Sequence, residues 1–141
     1  EARKREVRGQ DRIAVRAPEG LEVLSNMPRE AQQPAEGGRT LHRFAPTPPM
    51  PAYLVAVAVG RFEMLEGSVG ALPLRIVTAP GKREQGRYAL QATQALLPWF
   101  ADYFGQPYHL PKLDQLAVPG VRDGAMEDWG LISYDEASLL F

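Results

Sequence analysis

Apolar and polar positions change rhythm once along this chain, near residue 78. Before that point they alternate in short bursts, and after it they recur at steps of three and four. Ile13 and Val15 alternate with Arg12, Ala14 and Arg16, which predicts a short half-buried strand, closed by a turn at Ala17-Pro18-Glu19-Gly20. A second short strand is predicted over 21–24 and closed by Ser25-Asn26-Met27-Pro28. Residues 29–39 hold Gln32, Gln33, Pro34, Gly37 and Gly38 with almost no large apolar side chain, so they read as a surface loop or hairpin tip. Residues 40–44 are then its returning strand.

Thr47-Pro48-Pro49-Met50-Pro51 forces an extended entry, because each proline fixes its own φ and restrains the residue before it. The apolar run 53–59 that follows predicts a strand buried on both faces, with further strands at 62–65 and 74–77. From Lys82 onward, Tyr88, Ala92, Ala95, Leu96, Trp99, Phe100, Tyr103 and Phe104 share one helical face, which predicts an aromatic stripe turned to the core. Gly105 suits a left-handed helix cap, and Pro98 inside the helix should kink it or remove one backbone bond. Strands at 113–118 and from Leu131 complete the pattern. The expected fold is a β-rich first part, residues 1–77, followed by an α+β part, residues 78–141. The second part looks too small to close its own core and should expose Trp99, Leu139, Leu140 and Phe141.

Composition narrows the function. An apolar share of 45% with 23% charged residues places the chain among globular rather than disordered proteins. The net charge of -1 carries no basic stripe for nucleic acid, and the bunched Arg3-Lys4-Arg5 and Arg8 read as a solvated end. The absence of cysteine excludes disulfides, thiolate catalysis and Cys-type metal sites. No apolar run approaches the ~20 residues that span a bilayer, and no signal-peptide core opens the chain. A soluble cytoplasmic protein is the default, with the compartment unassigned.

Among motifs, His42 and His109 are the only histidines, and neither lies in a His-Glu-x-x-His pattern. Both read as surface or locally hydrogen-bonded residues. No serine has a nucleophile-elbow setting, and no glycine pattern suits a phosphate. One carboxylate stands out. Glu127 is flanked by Gly124, Ala125 and Gly130, small residues that let a ligand approach the backbone and leave peptide groups free for an extended chain. A glutamate in such a cleft suits a cationic amine. The competing reading is a glycine-bounded surface turn with Met126 and Trp129 as core anchors.

Gly124-Ala125-Met126-Glu127-Asp128-Trp129-Gly130 resembles the Gly-Ala-Met-Glu-Asn exopeptidase signature of the zinc aminopeptidases related to aminopeptidase N and leukotriene hydrolase. The likeness extends in order over about residues 17–141. Residues 47–60 resemble the last long strand of that family's N-terminal β domain. Residues 80–86 and 103–108 resemble the first helix of its peptidase domain and the turn after it, and Leu131-Ile132-Ser133-Tyr134 continues the signature.

The resemblance implies the end of an N-terminal β domain (residues 1–77) and the start of a thermolysin-like peptidase domain (78–141), truncated before the zinc motif. It implies that Glu127 binds the free α-amino group of a peptide, with Gly124, Ala125 and Met126 lining the substrate. It also implies a zinc ion in the full-length protein, held by a His-Glu-x-x-His and a later Glu that this chain does not contain, so that the chain alone binds no metal and has no catalytic residue. Asp128 stands where the family usually has Asn, and residues 1–12 lack the family's Asp-Glu-Pro type of motif. The expected partner is a peptide N-terminus, with no nucleic acid and no membrane segment, and with the oligomeric state unassigned. The alternative function is a non-catalytic scaffold that keeps the aminopeptidase fold.

Overall fold

The structure, a computed structural model, describes residues 8–120 and 124–141. The basic cluster Arg3-Lys4-Arg5 lies outside the described residues. The first part is built from short antiparallel strands: β1 (Arg8–Gly9), β2 (Ala14–Pro18), β3 (Glu22–Ser25), β4 (Arg29–Ala35), β5 (Arg39–Phe44), β6 (Met50–Pro51) and β7 (Val57–Gly60). They pair as β1 with β6, β2-β5-β4, and β3 with β7. The stretch expected to be a loop or hairpin tip is therefore mostly strand β4, which pairs antiparallel with β5, with a register shift between Arg29 and Ala31. Ladder hydrogen bonds need no apolar side chain, so an exposed edge strand gives little hydrophobic signal. The tip itself is Gly37-Gly38, both at positive φ (71° and 64°).

A further sheet has five strands in the order β11-β12-β10-β9-β8, from β8 (Glu63–Val69), β9 (Leu72–Thr78), β10 (Leu113–Val118), β11 (Ala125–Met126) and β12 (Leu131–Asp135). Its centre is parallel, with β10 between β9 and β12, and both edges are antiparallel. Helix α1 (Arg87–Phe104) crosses over from β9 to β10, and the short α2 (Glu136–Leu139) follows β12. Alternate residues of the central strands face opposite ways. Ile76 and Ala117 pack with Ala89, Leu139 and Leu140 on the helical side. Val77, Leu116 and Leu131 pack with Leu24 and the half-buried Ala56 and Ala58 on the side of β3 and β7. Both faces of the parallel strands are thus covered, as such strands require. The sheet draws strands from either side of residue 78: Leu74↔Leu113 and Val77↔Leu116 are paired neighbours.

Three expectations are corrected by packing. The apolar run 53–59 is not one strand buried on both faces. Ala52–Leu54 is a 3₁₀ turn, only Val57–Gly60 is strand, and Val55, Val57 and Val59 are 38%, 46% and 44% exposed. Ala56 and Ala58 take the inward positions, and among the described residues nothing covers the valine face. The aromatic stripe of α1 also faces outward, with Tyr88, Trp99, Tyr103 and Phe104 all exposed. The helix instead seats a second stripe on the sheet, Ala89, Leu90, Thr93, Leu97 and Ala101, which are buried or half-buried. Close approach selects these smaller residues. A Cβ on Gly67 would lie 2.9 Å from Leu90 Cδ1, and one on Gly86 would lie 2.8 Å from Ile76 Cγ2. Finally, Leu139 and Leu140 are buried, and only Trp99 and Phe141 of the four expected apolar residues are exposed.

The helix end agrees with the sequence. Gly105 adopts φ 63° and its N–H returns to Ala101 and Asp102 carbonyls, while Pro98 lies inside the continuous helix.

Candidate active-site segment

The segment singled out in the sequence forms the outer edge of the five-stranded sheet. Ala125 pairs with Tyr134 and Met126 with Ser133. The Asp135 N–H donates to the Gly124 carbonyl at 2.8 Å, and Gly124 takes φ 72°, a backbone region that favours glycine. Only one side of β11 is paired among the described residues, so its other row of peptide groups faces outward. Gly124, Ala125, Met126 and Glu127 are all exposed, and Met126 is no core anchor. Trp129 is half-buried, edge-on against the His109 ring at 5.2 Å.

Immediately after Glu127 the chain turns. The Leu131 N–H donates to the Asp128 carbonyl at 3.1 Å, closing a β-turn over residues 128–131. Gly130, third in the turn, has φ 77°, which is the requirement of a type II turn. Two buried side chains from elsewhere hold its carbonyls. Asn26 Nδ2 donates to Trp129 O at 2.8 Å and also to Leu54 O at 2.7 Å, while its Oδ1 accepts from the Ala56 N–H at 2.9 Å. Lys112 Nζ donates to Gly130 O at 2.6 Å, to Ser25 O at 2.6 Å and to Asp114 Oδ2 at 2.7 Å. Asn26 is fully buried, Lys112 nearly so, and a Cβ on Gly130 would run into the Asn26 carbonyl oxygen.

Asp114 anchors this polar core. It accepts a bidentate pair from Arg75 Nε and Nη2, each at 2.6 Å, and is itself fully buried. Burial pushes the Lys112 ammonium below its ordinary pKa, with the Asp114 carboxylate opposing that shift. None of Asn26, Lys112 and Asp114 stands out in the sequence. Their partners are up to 103 residues away, so no local pattern marks them.

Two cavities meet here. One of about 490 Å³ is lined by residues 55–59 and the carboxyl end of β10, and Asp128 and Ser133 are in its wall. A smaller one of about 200 Å³ lies against Gly124, Ala125 and Met126 and shares Val118 and Ser133 with the first. A crevice outside the carboxyl ends of parallel strands is the usual ligand position in open α/β sheets. Asp128 is buried in this crevice, and burial followed by the neighbouring Glu127 charge raises its carboxyl pKa above the ordinary value.

Among the described residues no group of three or more His, Asp or Glu side chains is placed to hold a metal ion. His42 is buried with Arg29 Nη1 3.3 Å from its Nδ1, and His109 is exposed beside Trp129. A guanidinium against an imidazole opposes a second cation there. Burial and Arg29 both lower the His42 pKa. Among the described residues no set fits a zinc centre. Nor, among them, is any helix long and apolar enough to cross a membrane.

With this geometry in view, two family models match the chain. The Peptidase M1 N-terminal domain matches residues 6–54, and the Peptidase family M1 domain matches residues 88–141. The chain belongs to peptidase family M1. The edge strand, Glu127 and the turn after it all fall inside the second match. Similar proteins include a glutamyl aminopeptidase of Mus musculus, 40% identical over 92% of this chain and 14% of its own length. An aminopeptidase N of Acetobacter pasteurianus is 38% identical over 92% of this chain and 37% of its own length. A puromycin-sensitive aminopeptidase of Caenorhabditis elegans is 42% identical over 85% of this chain and 13% of its own length. The chain thus spans well under half the length of these family M1 relatives. Peptidases of family M1 are metallopeptidases, and among the described residues no such group of metal-ligating side chains is found.

Proposed function

We propose that the whole protein is a zinc-dependent aminopeptidase, in which this chain supplies the segment that recognises the free amino terminus of a peptide. The observation that carries this reading is the exposed edge strand Ala125–Met126 ending in Glu127 beside a crevice. An edge strand offers peptide groups to an extended substrate, and a carboxylate at its end pairs with an ammonium. Gly124, Ala125 and Met126 line the peptide. The pairing restricts attack to the first residue, because an internal peptide bond presents no ammonium to Glu127. Zinc would supply Lewis-acid chemistry to such an enzyme, and no group among the described residues is placed to hold it.

The reading keeps the two-part division, residues 1–77 and 78–141. The boundary stays at 77/78 in this reading, with the hairpin β8–β9 joined to the sheet of the second part through the pairing of β9 with β10.

The test is Glu127→Ala in the whole protein. Cleavage of an aminoacyl anilide should fall by about 100-fold in kcat/KM, the worth of a charge pair of roughly 3 kcal/mol, while the zinc content stays unchanged. Unchanged kinetics on free-amine substrates would exclude the role given to Glu127.

A further inference from the structure

The turn that follows Glu127 owes its shape to a side chain from the other part of the molecule. In a type II turn the central peptide is flipped relative to type I, and here that peptide carries the Trp129 carbonyl. Asn26 Nδ2 grips that oxygen at 2.8 Å. The same amide holds Leu54 O and the Ala56 N–H, so it ties the turn to the segment entering β7. Two donors on one nitrogen and an acceptor beside them are required, all within a short side chain. Asp offers no donor when ionised, and Ser offers one. On the other side of Glu127 the backbone is fixed by the Ala125↔Tyr134 and Met126↔Ser133 pairs. Glu127 therefore sits between two clamps, one from its own sheet and one from Asn26, with Lys112 supporting the second through Gly130 O.

We propose that Asn26 is a positioning residue for substrate binding: by fixing the flip of the Trp129–Gly130 peptide, it sets where the Glu127 carboxylate meets the substrate ammonium. This rests on the reading of Glu127 as the amine-recognition residue. Asn26 touches no substrate itself. Its contribution passes through the turn, so it depends on the presence of the Glu127 carboxylate.

The experiment is a double-mutant cycle in the whole, zinc-loaded enzyme, with Asn26→Ala, Glu127→Ala and the pair, assayed on an aminoacyl anilide well below each variant's unfolding midpoint. Asn26→Ala should raise KM about tenfold, the equivalent of one buried hydrogen bond, with kcat changed less than about threefold. In the Glu127→Ala background the same substitution should change KM less than about twofold. An equal loss in both backgrounds would mean general damage to the fold and overturns the proposal, even if Glu127→Ala alone behaves as expected. If Glu127→Ala alone has no effect, the amine-recognition reading fails and this inference falls with it. Asn26→Ser, which leaves a smaller void, is carried through the same cycle should Asn26→Ala not fold. Failure of both to yield folded, zinc-loaded enzyme shows a purely structural residue and overturns the proposal.

Discussion

Asn26 and Trp129 are joined by a 2.8 Å hydrogen bond across 103 positions of sequence, from a fully buried amide to a backbone carbonyl. The bond links the end of strand β3 to the turn beside Glu127, and so makes the shape of the candidate site a property of both parts of the chain. An unpaired carbonyl at that depth would cost about 1–3 kcal/mol, so the turn has one favoured form while Asn26 is in place.

Gly130 is the point where this contact leaves no slack. A methyl group there would meet the Asn26 carbonyl oxygen, and φ 77° is strained for any residue with a Cβ. Gly130→Ala should therefore destabilise the protein by about 2 kcal/mol or more, read as a lower urea midpoint at unchanged m-value. Gly37→Ala provides the contrast. Its φ is 71° but nothing lies within 4 Å of the added carbon, so its cost should be confined to backbone strain of about 1 kcal/mol. Equal losses for the two would show that the Asn26 contact is not tight.

The buried charge cluster should respond unequally to loss of its members. Asp114→Ala leaves Lys112, only 5% exposed, without its carboxylate and should cost about 3–5 kcal/mol by chemical denaturation. Glu22→Gln breaks the ion pair with Arg29, in which the side chains are 34% and 32% exposed, and should cost no more than about 1 kcal/mol. A small effect at Asp114 would mean that water reaches Lys112.

Asp128 should make stability depend on acid pH. Burial and the Glu127 charge raise its folded pKa above the ordinary 3.8, so the folded state holds this proton more tightly than the unfolded chain. The stabilising contribution is present below pH 3.8 and is lost as pH rises through the raised folded value. Asp128→Asn abolishes that titration. The variant should gain stability relative to the parent as pH rises from 3.8 through that window, and keep the gain at neutral pH, in denaturant midpoints measured across the range. A difference independent of pH would show that Asp128 titrates normally in the fold.

Much of this structure was legible in the sequence, and for a definite reason. Alternation marks strands such as 14–18 and 131–135, glycine marks left-handed positions such as Gly105, and steps of three and four mark α1, because each reports backbone conformation within a few residues. The segment 124–130 was recognisable as a motif, down to its lone exposed carboxylate. Periodicity shows that an element has an apolar face without saying which neighbour, if any, will cover it. The helix carried two usable stripes. Tertiary structure decided for the one with Ala89, Leu90 and Thr93, because Gly67 and Gly86 bring helix and sheet too close for tryptophan and tyrosine. Likewise only the folded chain could pair β9 with β10 across the change of rhythm, or carry the Asn26 amide and the Lys112 ammonium to the turn beside Glu127. The sequence by itself determined most of the elements and singled out Glu127 as the candidate for meeting a substrate. Three-dimensional packing decided how that residue is held, since a buried hydrogen bond depends on distance in space and leaves no periodic trace along the chain.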